Sequence, residues 1–118
     1  MAKVLVVDDA AFMRQRCMKL LNENGYDTVS AEDGRQAVEQ FKSQKPDAVL
    51  LDITMPDMDG LEALKEIIKL DGNAKVAMVT AIGQQNMVME CLKSGAKDFV
   101  VKPFDPGRVL AAVKKMVG

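Results

Sequence analysis

The sequence contains no histidine. Chemistry that needs an internal imidazole, as general base or as metal ligand, is therefore excluded. Cys17 and Cys91 are the only cysteines, and they stand far apart without metal-ligand spacing. Two such thiols fit a reduced, cytoplasmic protein. No apolar run approaches the ~20 residues needed to cross a bilayer, so no membrane association is expected. The opening "MAKVLVVDD" turns acidic too soon for a signal peptide. Charge imbalance is also missing: 16 basic residues face 17 acidic ones. No electrostatic pull toward nucleic acid or anionic lipid is expected from that balance. No internal linker, diagnostic repeat or low-complexity tract interrupts the chain.

What is present is a globular balance. Hydrophobic residues make up 48% and charged residues 28% of 118, enough for one domain with a buried core. Five apolar runs recur along the chain: "KVLVV" (3–7), "DTVSA" (27–31), "DAVLL" (47–51), "KVAMV" (75–79) and "DFVVK" (98–102). Four are nearly continuous in apolar residues, which predicts parallel strands covered on both faces. The second is more polar and reads as an edge strand. Between them the apolar positions follow helical spacing in 10–24, 35–43, 60–70, 84–93 and 106–117. Asp105 and Pro106 mark the start of the last helix. Five such units predict an α/β fold: one parallel sheet, strand order 2-1-3-4-5, with helices on both faces.

Ligands of such sheets bind beyond the carboxyl ends of the strands. Asp8 and Asp9 follow the first strand, Asp52 the third, Thr80 the fourth and Lys102 the fifth. Each has a plainer reading alone. Asp8-Asp9 is a helix start, Lys102 a solvated surface charge, Thr80 a residue that fits the pleat. Their convergence at one end of one sheet favours a shared site. Three close carboxylates repel unless a cation joins them, and Mg2+ prefers a few carboxylates with water and phosphate oxygens. Lys102 and Thr80 then suit a phosphoryl group, and a carboxylate can itself attack phosphorus.

The motifs "VVDD" (6–9), "LLDITMPDMDG" (50–60), "VTA" (79–81) and "VVKPF" (100–104) stand in order over the whole chain. In them the sequence resembles the receiver domain of two-component response regulators. The resemblance implies a flavodoxin-like (CheY-like) fold, with Asp52 as phosphoacceptor. It implies that Asp8, Asp9, Asp52 and the backbone carbonyl of Thr54 bind Mg2+, and that Thr80 and Lys102 hold the phosphoryl oxygens. Thr80 and Phe99 fall at the family's switch positions, and the Lys102–Pro103 bond is expected to be cis. The missing histidine then belongs to a partner, a histidine kinase.

The stretches "VDDAAFMR", "DITMP" and "GQQNMV" resemble most the stand-alone chemotaxis receivers. That resemblance implies a CheA-like kinase as donor and the flagellar motor switch as docking target. A phosphorelay intermediate, passing the group to a second histidine phosphotransfer protein, is the alternative. Because the sequence stops one helix after "VVKPF", a single receiver domain (1–118) without an output domain is expected, acting as a monomer. It would be a signalling protein and not an enzyme, catalysing only its own phosphoryl transfer and slow autodephosphorylation. Thr54 and Ile82 depart from the best-known chemotaxis pattern at positions that tune dephosphorylation. Isoleucine cannot orient water, so slow self-dephosphorylation and a separate phosphatase are expected. The output face would comprise 84–93, 98–102 and 106–117, with Met87 and Val88 partly exposed.

Two readings from other classes fit less well. A flavin carrier needs a glycine- and hydroxyl-rich loop where this chain has "DDAAFM", and a dehalogenase-type phosphatase needs an acid at residue 54. The three aspartates of 50–60 divide into a reactive Asp52, a solvated Asp57, and Asp59 as the cap of a helix, in a capping box with Glu62. Pro56 turns the chain away.

Overall fold

The computed structural model describes residues 2–55, 59–81, 83–103 and 105–118. Ten elements alternate: β1 (Lys3–Val7), α1 (Ala11–Glu23), β2 (Asp27–Ala31), α2 (Gly34–Gln44), β3 (Ala48–Asp52), α3 (Gly60–Leu70), β4 (Val76–Ala81), α4 (Gln85–Lys93), β5 (Asp98–Lys102) and α5 (Pro106–Val117). The strands form one parallel sheet in the order β2-β1-β3-β4-β5. The apolar runs therefore mark the strands, and the expected order is the observed one.

Alternating side chains send each strand's apolar residues to two separate cores. One joins Leu5, Val49, Leu51 and Met78 to Ala37, Leu64, Ile67 and Cys91, under α2, α3 and α4. The other joins Val4, Val6, Leu50 and Val79 to Cys17, Leu21, Val109 and Val113, under α1 and α5. The two cysteines are free and lie on opposite faces of the sheet. β3 is buried at every position, as a central strand flanked by helices must be.

Three expectations need correction. "DFVVK" is not covered on both faces: β5 is an edge strand, and Phe99 and Val101 are 36% and 40% exposed. A shallow apolar groove between α4 and β5 remains open, lined by Val88, Met89, Leu92, Phe99 and Val101. The exposed methionine of α4 is Met89, while Val88 is buried and Met87 packs half-buried on the core. β4 also runs beyond the expected 75–79, through Ala81, so Thr80 lies inside a strand.

Loops at the carboxyl end of the sheet are pinned locally. Asp59 caps α3 by accepting the Glu62 N–H at 2.9 Å. Among the described residues only this half of the capping box forms. Asp105 sits at the start of α5 without a side-chain cap bond, ahead of Pro106. Asp57 and Pro56 lie outside the described residues.

Candidate functional site

Among the described residues, Asp8, Asp52 and Thr80 are the only buried polar or charged side chains. Burying a polar group is unfavourable unless something compensates it, and an ionisable one more so, so two carboxyls and a hydroxyl at one sheet edge demand a chemical reason. Register explains their meeting. β1 and β3 are neighbours, and Val7 pairs with Leu51, so Asp8 and Asp52 leave adjacent strands at the same level. Asp52 pairs with Val79 on the other side, which puts Thr80 one residue further along β4. Ala81 pairs with Lys102, the last residue of β5.

Carboxylate oxygens of Asp8, Asp9 and Asp52 lie within 4.8 Å of one another. Asp9 is exposed and the other two are buried, so the cluster opens to solvent on one side. Lys102 reaches over it: its Nζ stands 3.1 Å from Asp52 Oδ2 and 3.1 Å from Asp8 Oδ2. The acidic loop is held by hydrogen bonds between side chains and backbone. Asp8 Oδ1 accepts the Ala10 N–H at 2.9 Å, and Arg14 donates to the Asp8 carbonyl at 2.6 Å. Asp8 thus closes a turn before α1; Ala10 occupies the cap position without a side-chain bond.

The charges tune one another. Burial pushes the Asp52 carboxyl above its ordinary value; Lys102's hydrogen bond and charge oppose this, Asp8 adds to it, and the net direction is up. For Lys102, burial pulls the ammonium down, but the hydrogen bonds and charges of Asp52 and Asp8 outweigh it and the net direction is up. The site therefore keeps its lysine charged while resisting ionisation of Asp52. One ammonium does not fully compensate two buried carboxylates and the nearby Asp9. A small hard cation with oxygen ligands fits the remaining imbalance, and Mg2+ is the expected choice.

Thr80 behaves differently. Its hydroxyl lies 3.2 Å from the Ala81 carbonyl and 3.1 Å from Gln84 Oε1, and it forms no hydrogen bond with the acids or Lys102. Thr54 donates its N–H to Asp52 Oδ1 at 3.3 Å, and its hydroxyl accepts from Gln84 Nε2 at 2.7 Å. Phe99 stands apart, in the groove beside α4. The Lys102–Pro103 peptide is cis, as the resemblance implied. Ile82 lies outside the described residues.

Sequence reasoning did not single out Arg14 or Gln84. Arg14 is one helical turn into α1, and nothing in its neighbourhood announces a contact with the strand end. Gln84 sat inside "GQQNMV", noted only as a subtype signature.

Comparison with known proteins bears on the chain as a whole. The response regulator receiver domain family matches residues 4–114. Among curated relatives, the chemotaxis protein CheY of Thermotoga maritima is 53% identical over 115 residues, covering 97% of this chain and 96% of that protein. CheY of Bacillus subtilis is also 53% identical, covering 96% of this chain and 95% of its own. Among solved structures, a chain of the CheX–CheY–BeF3–Mg2+ complex of Borrelia burgdorferi superposes with a TM-score of 0.91 at 40% identity, covering 97% of this chain and 87% of that one.

Proposed function

We propose that this chain, which belongs to the response regulator receiver domain family, is a phosphorylation-controlled chemotaxis regulator whose Asp52 accepts a phosphoryl group. Receiver membership and its chemotaxis homologues are the premise. The observation that carries the site assignment is the shared ammonium: Lys102 Nζ 3.1 Å from both Asp8 and Asp52, above a three-carboxylate cluster.

In the proposed reaction an Asp52 Oδ attacks the phosphorus of a phosphohistidine on a sensor kinase, one of CheA-like type. The new bond joins carboxylate oxygen to phosphorus, giving an acyl phosphate. The bond that breaks joins phosphorus to the imidazole nitrogen, and the histidine leaves with that electron pair. Asp8, Asp9, Asp52 and the Thr54 carbonyl would hold Mg2+, which when bound neutralises charge on the phosphoryl oxygens and aligns them. Lys102 is long and only partly buried, so it can shift from Asp8 toward a phosphoryl oxygen without leaving Asp52's neighbourhood. Thr80 can add a hydroxyl donor once it gives up its present partners.

Output would follow through the groove between α4 and β5. Phe99, Val101 and Met89 are its exposed apolar residues, and methionine suits an adaptable docking surface. The flagellar motor switch is the proposed target. A single receiver domain working as a cytoplasmic monomer, with slow self-dephosphorylation and a separate phosphatase, completes the reading.

Intact-mass measurement after treatment with acetyl phosphate and Mg2+ tests it. The wild-type chain should gain one phosphoryl group, and Asp52→Asn should gain none. A persistent gain in Asp52→Asn would remove Asp52 from the mechanism. Binding of the phosphorylated protein to a motor-switch peptide tests the output assignment separately.

A further inference from the structure

Gln84 stands at the start of α4, yet its side chain caps nothing there. It reaches back toward the strands. Its Oε1 accepts the Ala81 N–H at 3.0 Å and lies 3.1 Å from Thr80 Oγ1, while Nε2 donates to Thr54 Oγ1 at 2.7 Å. A backbone N–H can only donate, so the oxygen end of the amide must face Ala81. One side chain therefore ties the loop after β3 to the end of β4. Thr80 carries a single hydroxyl proton, and both of its neighbours, Gln84 Oε1 and the Ala81 carbonyl, are acceptors. Gln84 Oε1, a neutral oxygen, thus accepts the Ala81 N–H and stands within hydrogen-bond reach of the Thr80 hydroxyl.

Resting on the reading of Asp52 above, we propose that Gln84 is a positioning residue whose Oε1 occupies the donor pair a phosphoryl oxygen would take, holding Thr80 in the unphosphorylated arrangement. An anionic oxygen makes a stronger hydrogen bond than an amide carbonyl, so a phosphoryl group can displace it. Displacement also frees Nε2 from Thr54. Because Gln84 immediately precedes α4, the exchange reaches the helix that lines the exposed groove. The ligand shifts the equilibrium only by its differential affinity, so the strength of the amide contacts sets part of the threshold for switching.

Calorimetric titration with beryllofluoride, a phosphoryl analogue, in saturating Mg2+ tests this on four proteins: wild type, Gln84→Ala, Thr80→Ala and the double variant. Losing one or two neutral hydrogen bonds from the unliganded state should tighten Gln84→Ala by about three- to tenfold. In the Thr80→Ala background the same change should tighten binding by a smaller factor than in wild type, because one of the three Gln84 contacts is already gone. A Gln84 that merely supports the loop would leave affinity unchanged or weaken it, and that result overturns the latch. Gln84→Met keeps the side chain's length without its hydrogen bonds and should tighten binding like alanine. It serves if alanine lowers the unfolding midpoint. Wild type that binds beryllofluoride while neither variant tightens sinks the latch alone. Folded wild type that binds none sinks the reading of Asp52 and the latch with it.

Discussion

Lys102 donates to Asp52 across 3.1 Å, from the last residue of β5 to the last residue of β3, fifty positions apart in the chain. The same ammonium meets Asp8 at 3.1 Å. It is the counter-charge that allows two buried acids to stand side by side.

Replacing it should expose their repulsion. Lys102→Met is expected to lower stability at pH 7, without divalent cation, by about 1–3 kcal/mol; full burial would cost more, but this lysine retains some solvent. Urea denaturation measures it. Added Mg2+ should recover more stability in the variant than in wild type, since cation and ammonium relieve the same repulsion. Equal recovery in both would contradict this.

Asp52 carries the opposite sign. Its folded pKa is raised above the ordinary 3.8, by burial first and by Asp8 second. Below the unfolded value the carboxyl is protonated in both states and costs nothing. As pH rises through the unfolded and then the folded value, stability is lost. Asp52→Asn should therefore raise the thermal midpoint at pH 7 without Mg2+, and its advantage should fade as pH falls to the acid side of 3.8. A lower midpoint for the variant at pH 7 would mean that Lys102 outweighs burial.

Gly60 lies against the backbone of the candidate site. A Cβ there would stand 2.3 Å from the Asp52 carbonyl oxygen and 2.6 Å from Ile53 Cα, atoms that cannot swing aside. The Gly60 N–H also donates to the Ile53 carbonyl at 2.8 Å, fixing the approach. Gly60→Ala should cost about 2–4 kcal/mol in a chemical denaturation curve. Gly72→Ala, with nothing within 4 Å, is the control and should be neutral within about 0.5 kcal/mol.

At the far end of β5, Arg108 grips Asp98 with two nitrogens, at 2.9 and 3.4 Å, and donates to the Phe99 carbonyl at 2.6 Å. Burial raises the Asp98 pKa, but Arg108 and the Phe99 N–H outweigh it and hold the carboxyl below 3.8. The resulting stability is present above 3.8 and is lost as pH falls through the folded value. Arg108 is partly solvated, so Arg108→Ala should cost about 0.5–1 kcal/mol near pH 7. Its effect should diminish in strong acid; an effect that persists there would assign the loss to packing of the arginine stem.

Much of this was legible in the sequence for identifiable reasons. Apolar runs at regular spacing gave away the strands, and parallel order brought Asp8, Asp52 and Lys102 to one edge. Those three needed no side-chain detail, because each closes or follows a strand. Gln84 was different. Its partners are Thr54, in the loop after β3, and Thr80 and Ala81, at the end of β4, and side-chain bonds between a loop and a strand end leave no periodic trace. The exposure of Phe99 and Val101 was hidden too. "DFVVK" is nearly as apolar as the central runs, and which helix covers an edge is decided by packing. Asp59 was readable as a cap because the Asx-to-N3 contact is local; Glu62's missing return bond was not, since a free carboxylate is equally well served by water.

The central claim is that Asp52, and no other carboxylate, takes the phosphoryl group. Borohydride reduces an aspartyl phosphate to homoserine, so it can be trapped after acetyl phosphate and Mg2+ treatment and the peptide sequenced by mass spectrometry. The account predicts homoserine at position 52 alone. Homoserine at position 8 or 9, or at 57 or 59, with residue 52 unchanged, would contradict it.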